Sequence, residues 1–148
     1  DKWYDSTLFI IVADHSHSSP LKRRVAQKER YKIPMLWIGN VLKDEYIGKE
    51  YSQLGSHIDI APTILNQLGL DNKGYAFGRD LFNPSFTGVV PYAFHRGYGL
   101  IKDSSNYAYS ENYNKVLEVH APDSIEAKRI KTDAELFFQY AFKQYMDL

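Results

Sequence analysis

Apolar and polar positions along the chain fall into several textures. Residues 7–13 form an unbroken apolar run, rich in β-branched side chains and without alternation. Such a run reads as a strand buried on both faces, as in the parallel sheet of an α/β protein. Residues 33–38 predict a second strand ending at Gly39, with Pro34 at its start or on an edge. Between the two runs lie a polar loop, residues 16–20, and a basic segment, residues 22–32, read as a short helix or exposed loop. Ile60, Ile64, Leu65 and Leu68 then recur at helical spacing. Ser56 or Asp59 caps that helix, Pro62 suits its first turn, and Gly69 ends it.

Beyond residue 88 the pattern changes. Residues 89–94, 98–101, 107–109 and 116–119 are short segments divided by turn residues, the pattern of an antiparallel meander. A long amphipathic helix closes the chain, with Ile130, Ala134, Phe137, Phe138, Ala141, Tyr145 and Leu148 on one stripe. Its start carries two candidate capping boxes, Asp123 with Glu126 and Thr132 with Glu135. The expectation is one partial α/β domain: a parallel-sheet portion over residues 6–88, then a small antiparallel meander and a C-terminal helix over 89–148.

Composition narrows this picture. A length of 148 residues suffices for a real core, and 12 Tyr and 8 Phe give that core an aromatic character. A formal net charge of zero gives no overall pull toward nucleic acid. Without cysteine there is neither a disulfide framework nor thiolate chemistry. The chain opens almost directly on its core strand, which suggests a piece of a larger domain. An uncovered edge and apolar face then imply self-association.

The candidate chemistry stands at the end of the first apolar run, at Asp14 and His15. Ligands of open α/β sheets bind outside the carboxyl ends of the strands, and a carboxylate with an imidazole suits a divalent metal. Consecutive strand residues point to opposite faces, so both reach one ion only where the strand ends and turns. Taken alone, the pair is a weak signal, and a strand-end turn with a solvated histidine is the commoner reading.

The order of motifs adds a resemblance. Asp14-His15 is followed by residues 33–36, Ile-Pro-Met-Leu, then by residues 59–65, Asp-Ile-Ala-Pro-Thr-Ile-Leu, and by Leu68-Gly69. Residues 78–82, Gly-Arg-Asp-Leu-Phe, and the hairpin-like residues 94–99, Phe-His-Arg-Gly-Tyr-Gly, come next. The ordered set resembles the alkaline-phosphatase/sulfatase superfamily. It is most similar to the carboxyl-terminal part of the extracellular domain of lipoteichoic-acid-synthase-like phosphoglycerol transferases. The resemblance implies a C-terminal fragment of an alkaline-phosphatase-like fold. It also implies a metal-dependent enzyme acting on phosphate or sulfate esters, with a Thr or Ser nucleophile.

Asp14 and His15 match the family's later Asp-His metal pair. The nucleophile and an early acidic ligand are expected upstream of Asp1, so the 148 residues alone are expected to lack turnover. The implied ion is Mn2+ first, with Ca2+ or Zn2+ in other branches. The implied substrate is a phospholipid- or glycan-linked ester, and the implied setting is the extracytoplasmic side of a bacterial membrane-anchored protein. Two alternatives stay open: a sulfuric ester hydrolase, and a non-catalytic α/β module that binds a partner or glycan. The chain departs from the family at Ser16, where relatives usually have Gly.

His17 and His57 are secondary candidates, for substrate phosphate or a second metal, against a solvated loop residue and a structural residue before the helix. His95 and His120 read as hairpin residues. Thr63 reads as a helix residue with its hydroxyl on the backbone rather than as a nucleophile. The basic run from Lys22 to Lys32 is either a solvated face or a neighbour of anionic lipid headgroups or a phosphate polymer.

Overall fold

The computed structural model describes residues 2–17, 21–85 and 87–148; residues 18–20 of the polar loop lie outside it. The chain divides into two compact units, Asp1–Ser52 and Gln53–Leu148.

In the first unit, strand β1 (Phe9–Val12) pairs with β2 (Met35–Ile38). A 3-10 turn at Tyr4–Ser6 precedes β1, and the Thr7 hydroxyl donates to the Trp3 carbonyl at 2.5 Å. Trp3, Tyr4 and Phe9 form an aromatic cluster with ring centroids 5.8–6.1 Å apart. Gly39 ends β2 at φ 149°, where a Cβ would lie 2.3 Å from the Thr7 carbonyl oxygen. Only glycine fits that approach.

Two expectations for this unit are corrected. The pairing is antiparallel, with Phe9 opposite Ile38 and Val12 opposite Met35. Among the described residues between Val12 and Met35 the helical element is a 3-10 turn at Lys28–Tyr31, and none of them makes the helical crossover that parallel strands need. Nor is β1 buried on both faces, since Ile11 is 59% exposed and Leu36 on β2 is 54% exposed. With Ile11 exposed, an apolar run without alternation does not by itself fix how many faces of the strand are covered.

The second unit follows its pattern closely. A 3-10 turn at His57–Asp59 leads into helix α1 (Ile60–Gln67), with a capping box between Ser56 and Asp59. Gly69 takes φ 67° after the helix, the left-handed conformation of a helix end. Strands β3 (Val89–Phe94), β4 (Gly97–Lys102), β5 (Ser105–Ser110) and β6 (Lys115–His120) form an antiparallel sheet in sequence order. A register shift falls between Ala108 and Tyr109.

Helix α2 (Ser124–Met146) packs on β4 and β5. Its cap is Asp123, which accepts the Ile125 and Glu126 N–H groups at 2.8 and 2.9 Å. The alternative box at Thr132 is therefore mid-helix. Leu100, Tyr107, Ile130 and Ala134 make the buried core, flanked by Val89, Tyr98, Tyr109 and Phe137. The helix stripe outruns the sheet: Ile130 and Ala134 are buried, whereas Tyr145 is 71% exposed. The α/β class, the antiparallel four-stranded sheet and the C-terminal helix all stand.

Candidate metal centre

Asp14 and His15 occupy the bend just past β1. The Asp14 carboxylate divides its work. Oδ1 accepts the His15 N–H at 2.9 Å, while Oδ2 lies 3.5 Å from His15 Nε2. On the other side of the ring, His15 Nδ1 lies 3.0 Å from the Ser16 carbonyl oxygen. A carbonyl only accepts, so Nδ1 carries the proton there. In the neutral imidazole Nε2 then carries a lone pair, 3.5 Å from Asp14 Oδ2.

A cation or a proton shared between these two acceptors favours their approach to 3.5 Å. The same spacing suits two donors of one divalent ion, each about 2.1 Å from it. Holding the distal ring nitrogen on a backbone carbonyl is the usual device for orienting a metal-binding histidine. The donor set thus fits a divalent ion, and the side chains are open to it, at 88% exposure for Asp14 and 77% for His15. Ser16 does not break the bend. Its carbonyl is the group that sets the ring, a backbone role that a residue-type pattern does not display.

Two ligands are not a coordination shell. Among the described residues no group of three or more His, Cys, Asp or Glu side chains converges to hold an ion. His17 is exposed two residues further on and does not complete such a group. His57 belongs to the second unit, where it opens the 3-10 turn before α1.

The residue the sequence reading undervalued is Asp59. It is 2% exposed, and its carboxylate accepts the Ser56 N–H at 2.8 Å and the Arg79 N–H at 2.9 Å. Burial raises its pKa above 3.8, against the two N–H bonds and the Arg79 charge, which act to lower it. Ser56 and Asp59 are each a candidate cap in the sequence; their Ser-x-x-Asp spacing is the available signal for the box, and nothing in it marks a tie to a loop twenty residues on. Thr63 completes the tie. Its hydroxyl donates to the Asp59 carbonyl at 2.6 Å and accepts the Leu81 N–H at 2.9 Å. Fully buried and doubly bonded, Thr63 is a structural residue, as expected. Gly78 permits the close approach, because a Cβ there would lie 2.0 Å from the Ile58 carbonyl oxygen.

Residues 1–70 match the family model described as Sulfatase. The chain is 29% identical to the lipoteichoic acid synthases of Staphylococcus aureus strains USA300 and NCTC 8325, over 90% of its own length. It spans 22% of the length of those curated relatives. A solved structure of an alkaline phosphatase superfamily protein from Vibrio parahaemolyticus superposes with a TM-score of 0.68 at 22% identity. That likeness covers 97% of this chain and 36% of the other, and it shows the fold.

Proposed function

From a chain whose residues 1–70 match the sulfatase family model, we propose the carboxyl-terminal part of a metal-dependent phosphoglycerol transferase, with Asp14 and His15 as two ligands of a divalent ion. The observation that carries this reading is the approach of Asp14 Oδ2 and His15 Nε2 to 3.5 Å with Nδ1 held on Ser16. By resemblance to the phosphoglycerol transferases the ion is taken as Mn2+ first, with Zn2+ or Ca2+ as alternatives; one carboxylate and one imidazole accept any of the three. A bound ion there would stabilise charge on a transferring phosphoryl group and lower the pKa of an attacking hydroxyl.

Asp14 contributes charge and an oxygen donor, His15 a nitrogen donor, and the Ser16 carbonyl the ring orientation. We assign the nucleophile and the remaining ligands to sequence outside these 148 residues, so that the chain alone lacks turnover and offers an ion only two of its ligands. His17 and His57 are second-rank candidates for substrate phosphate or a second ion. The substrate class is a phospholipid- or glycan-linked phosphate ester, handled on the extracytoplasmic side by a membrane-anchored parent protein. The description of the matched family favours a sulfuric ester as the second reading.

The test is titration of the 148-residue chain with Mn2+, followed by the electron paramagnetic resonance signal of the free ion. Asp14→Ala and His15→Ala are each expected to weaken binding at least roughly ten-fold. Affinity falls as pH is lowered, because protons compete for the imidazole. Identical titrations for wild type and both variants would sink the assignment.

A further inference from the structure

The connection between β1 and β2 carries a pattern that the metal pair does not use. Lys22, Arg23, Arg24, Lys28, Arg30 and Lys32 stand against one acid, Glu29, in a chain of zero formal net charge. None of these six cations is in an ion pair among the described residues. Side chains of Lys22, Arg24 and Lys32 are exposed. Leu21 and Val25 stand out among them at 66% and 44% exposure.

This segment is a folded knot rather than a loose tail. The Arg24 N–H donates to Gln27 Oε1 at 2.7 Å, and the Gln27 N–H returns to the Arg24 carbonyl at 3.1 Å. Arg30 Nη1 donates to the Arg23 carbonyl at 2.9 Å, and the Tyr31 hydroxyl to the Val25 carbonyl at 2.7 Å. Because Val12 pairs with Met35, the knot leaves and rejoins the ribbon at the end where Asp14 and His15 stand.

We propose that residues 21–32 dock the protein on an anionic bilayer surface. Unpaired cations gain from the negative potential of acidic headgroups, and exposed aliphatic side chains gain from entering the headgroup boundary. A soluble polyanion would engage the cations and leave Leu21 and Val25 in water. A single-strand nucleic acid site would offer aromatic platforms, and the exposed apolar residues here are aliphatic. The proposal goes beyond the metal reading and does not depend on it.

The experiment is co-sedimentation of the whole 148-residue chain with vesicles of phosphatidylglycerol and phosphatidylcholine, against phosphatidylcholine alone, with chelator present throughout. Binding to the anionic vesicles only is expected, weakening steeply with added salt. Lys22→Gln with Arg24→Gln is expected to weaken it roughly 30-fold, and Leu21→Ser several-fold. Lys28→Gln with Lys32→Gln provides a second charge test should the first pair disturb folding, judged by near-ultraviolet circular dichroism. The idea is overturned by equal binding to both vesicle types, by no binding to either, or by folded variants that bind like wild type. Release by soluble glycerophosphoglycerol at matched phosphate concentration would also overturn it, as the mark of a headgroup pocket. With chelator present, vesicle binding and Mn2+ binding succeed or fail separately.

Discussion

Replacing Asp59 with alanine isolates the tie between the start of α1 and the loop around Arg79. Two hydrogen bonds disappear, from the Ser56 and Arg79 N–H groups, at 2.8 and 2.9 Å. A hydrogen bond to a charged group contributes about 1.5–3 kcal/mol, so the gross loss is about 3–6 kcal/mol. Part is offset, because alanine escapes the burial that raises the Asp59 pKa. A net destabilisation of about 2–4 kcal/mol follows. With a urea m-value of about 2 kcal/mol/M, the midpoint falls by about 1–2 M.

The pH dependence has a definite sign. The folded pKa lies above 3.8, so the native state binds this proton more tightly than the unfolded chain does. The group's contribution is greatest below the unfolded value and declines as pH rises through the folded value. Asp59→Ala removes that decline, so the stability gap between the chains depends on pH across the window. Urea melts of both chains at several pH values between about 3 and 7 measure this directly. A variant within about 0.5 kcal/mol of wild type throughout would refute the stabilising role of this tie.

Two further substitutions test the second unit. Ile130 is 2% exposed against Leu100, Tyr107 and Ala134, so Ile130→Ala is expected to cost about 2–4 kcal/mol in urea unfolding. An unchanged midpoint would mean that α2 does not close the core. The Tyr107 hydroxyl is buried with no hydrogen-bond partner among the described residues, and burial pushes its pKa up to about 12, so it stays neutral. Tyr107→Phe should therefore leave stability unchanged or raise it by up to about 1 kcal/mol, and a clear fall in thermal midpoint would show a missed partner.

Much of the second unit was legible locally. The β3–β6 hairpins are joined by turns at His95-Arg96, Asp103-Ser104 and residues 111–114, each in the gap between two of the short segments read from the sequence. The α1 cap and its glycine stop likewise lie within a few residues of the helix they bound. Local signals suffice there, because hairpins and caps are made by near neighbours. The first unit lacked that advantage. Its apolar run fitted a parallel or an antiparallel partner equally well, and the choice lay in where the chain goes between Val12 and Met35.

The sequence by itself determined the α/β class, the order of the elements and the Asp14-His15 pair, because composition, periodicity and adjacency are properties of the chain. Only tertiary structure decided the antiparallel pairing of β1 with β2 and the open face of Ile11 and Leu36. It alone directed His15 Nε2 at Asp14 through the Ser16 carbonyl, and tied Asp59 to Arg79. Those features depend on the direction of groups in space, and a backbone carbonyl or a partner twenty residues away leaves no mark in residue type.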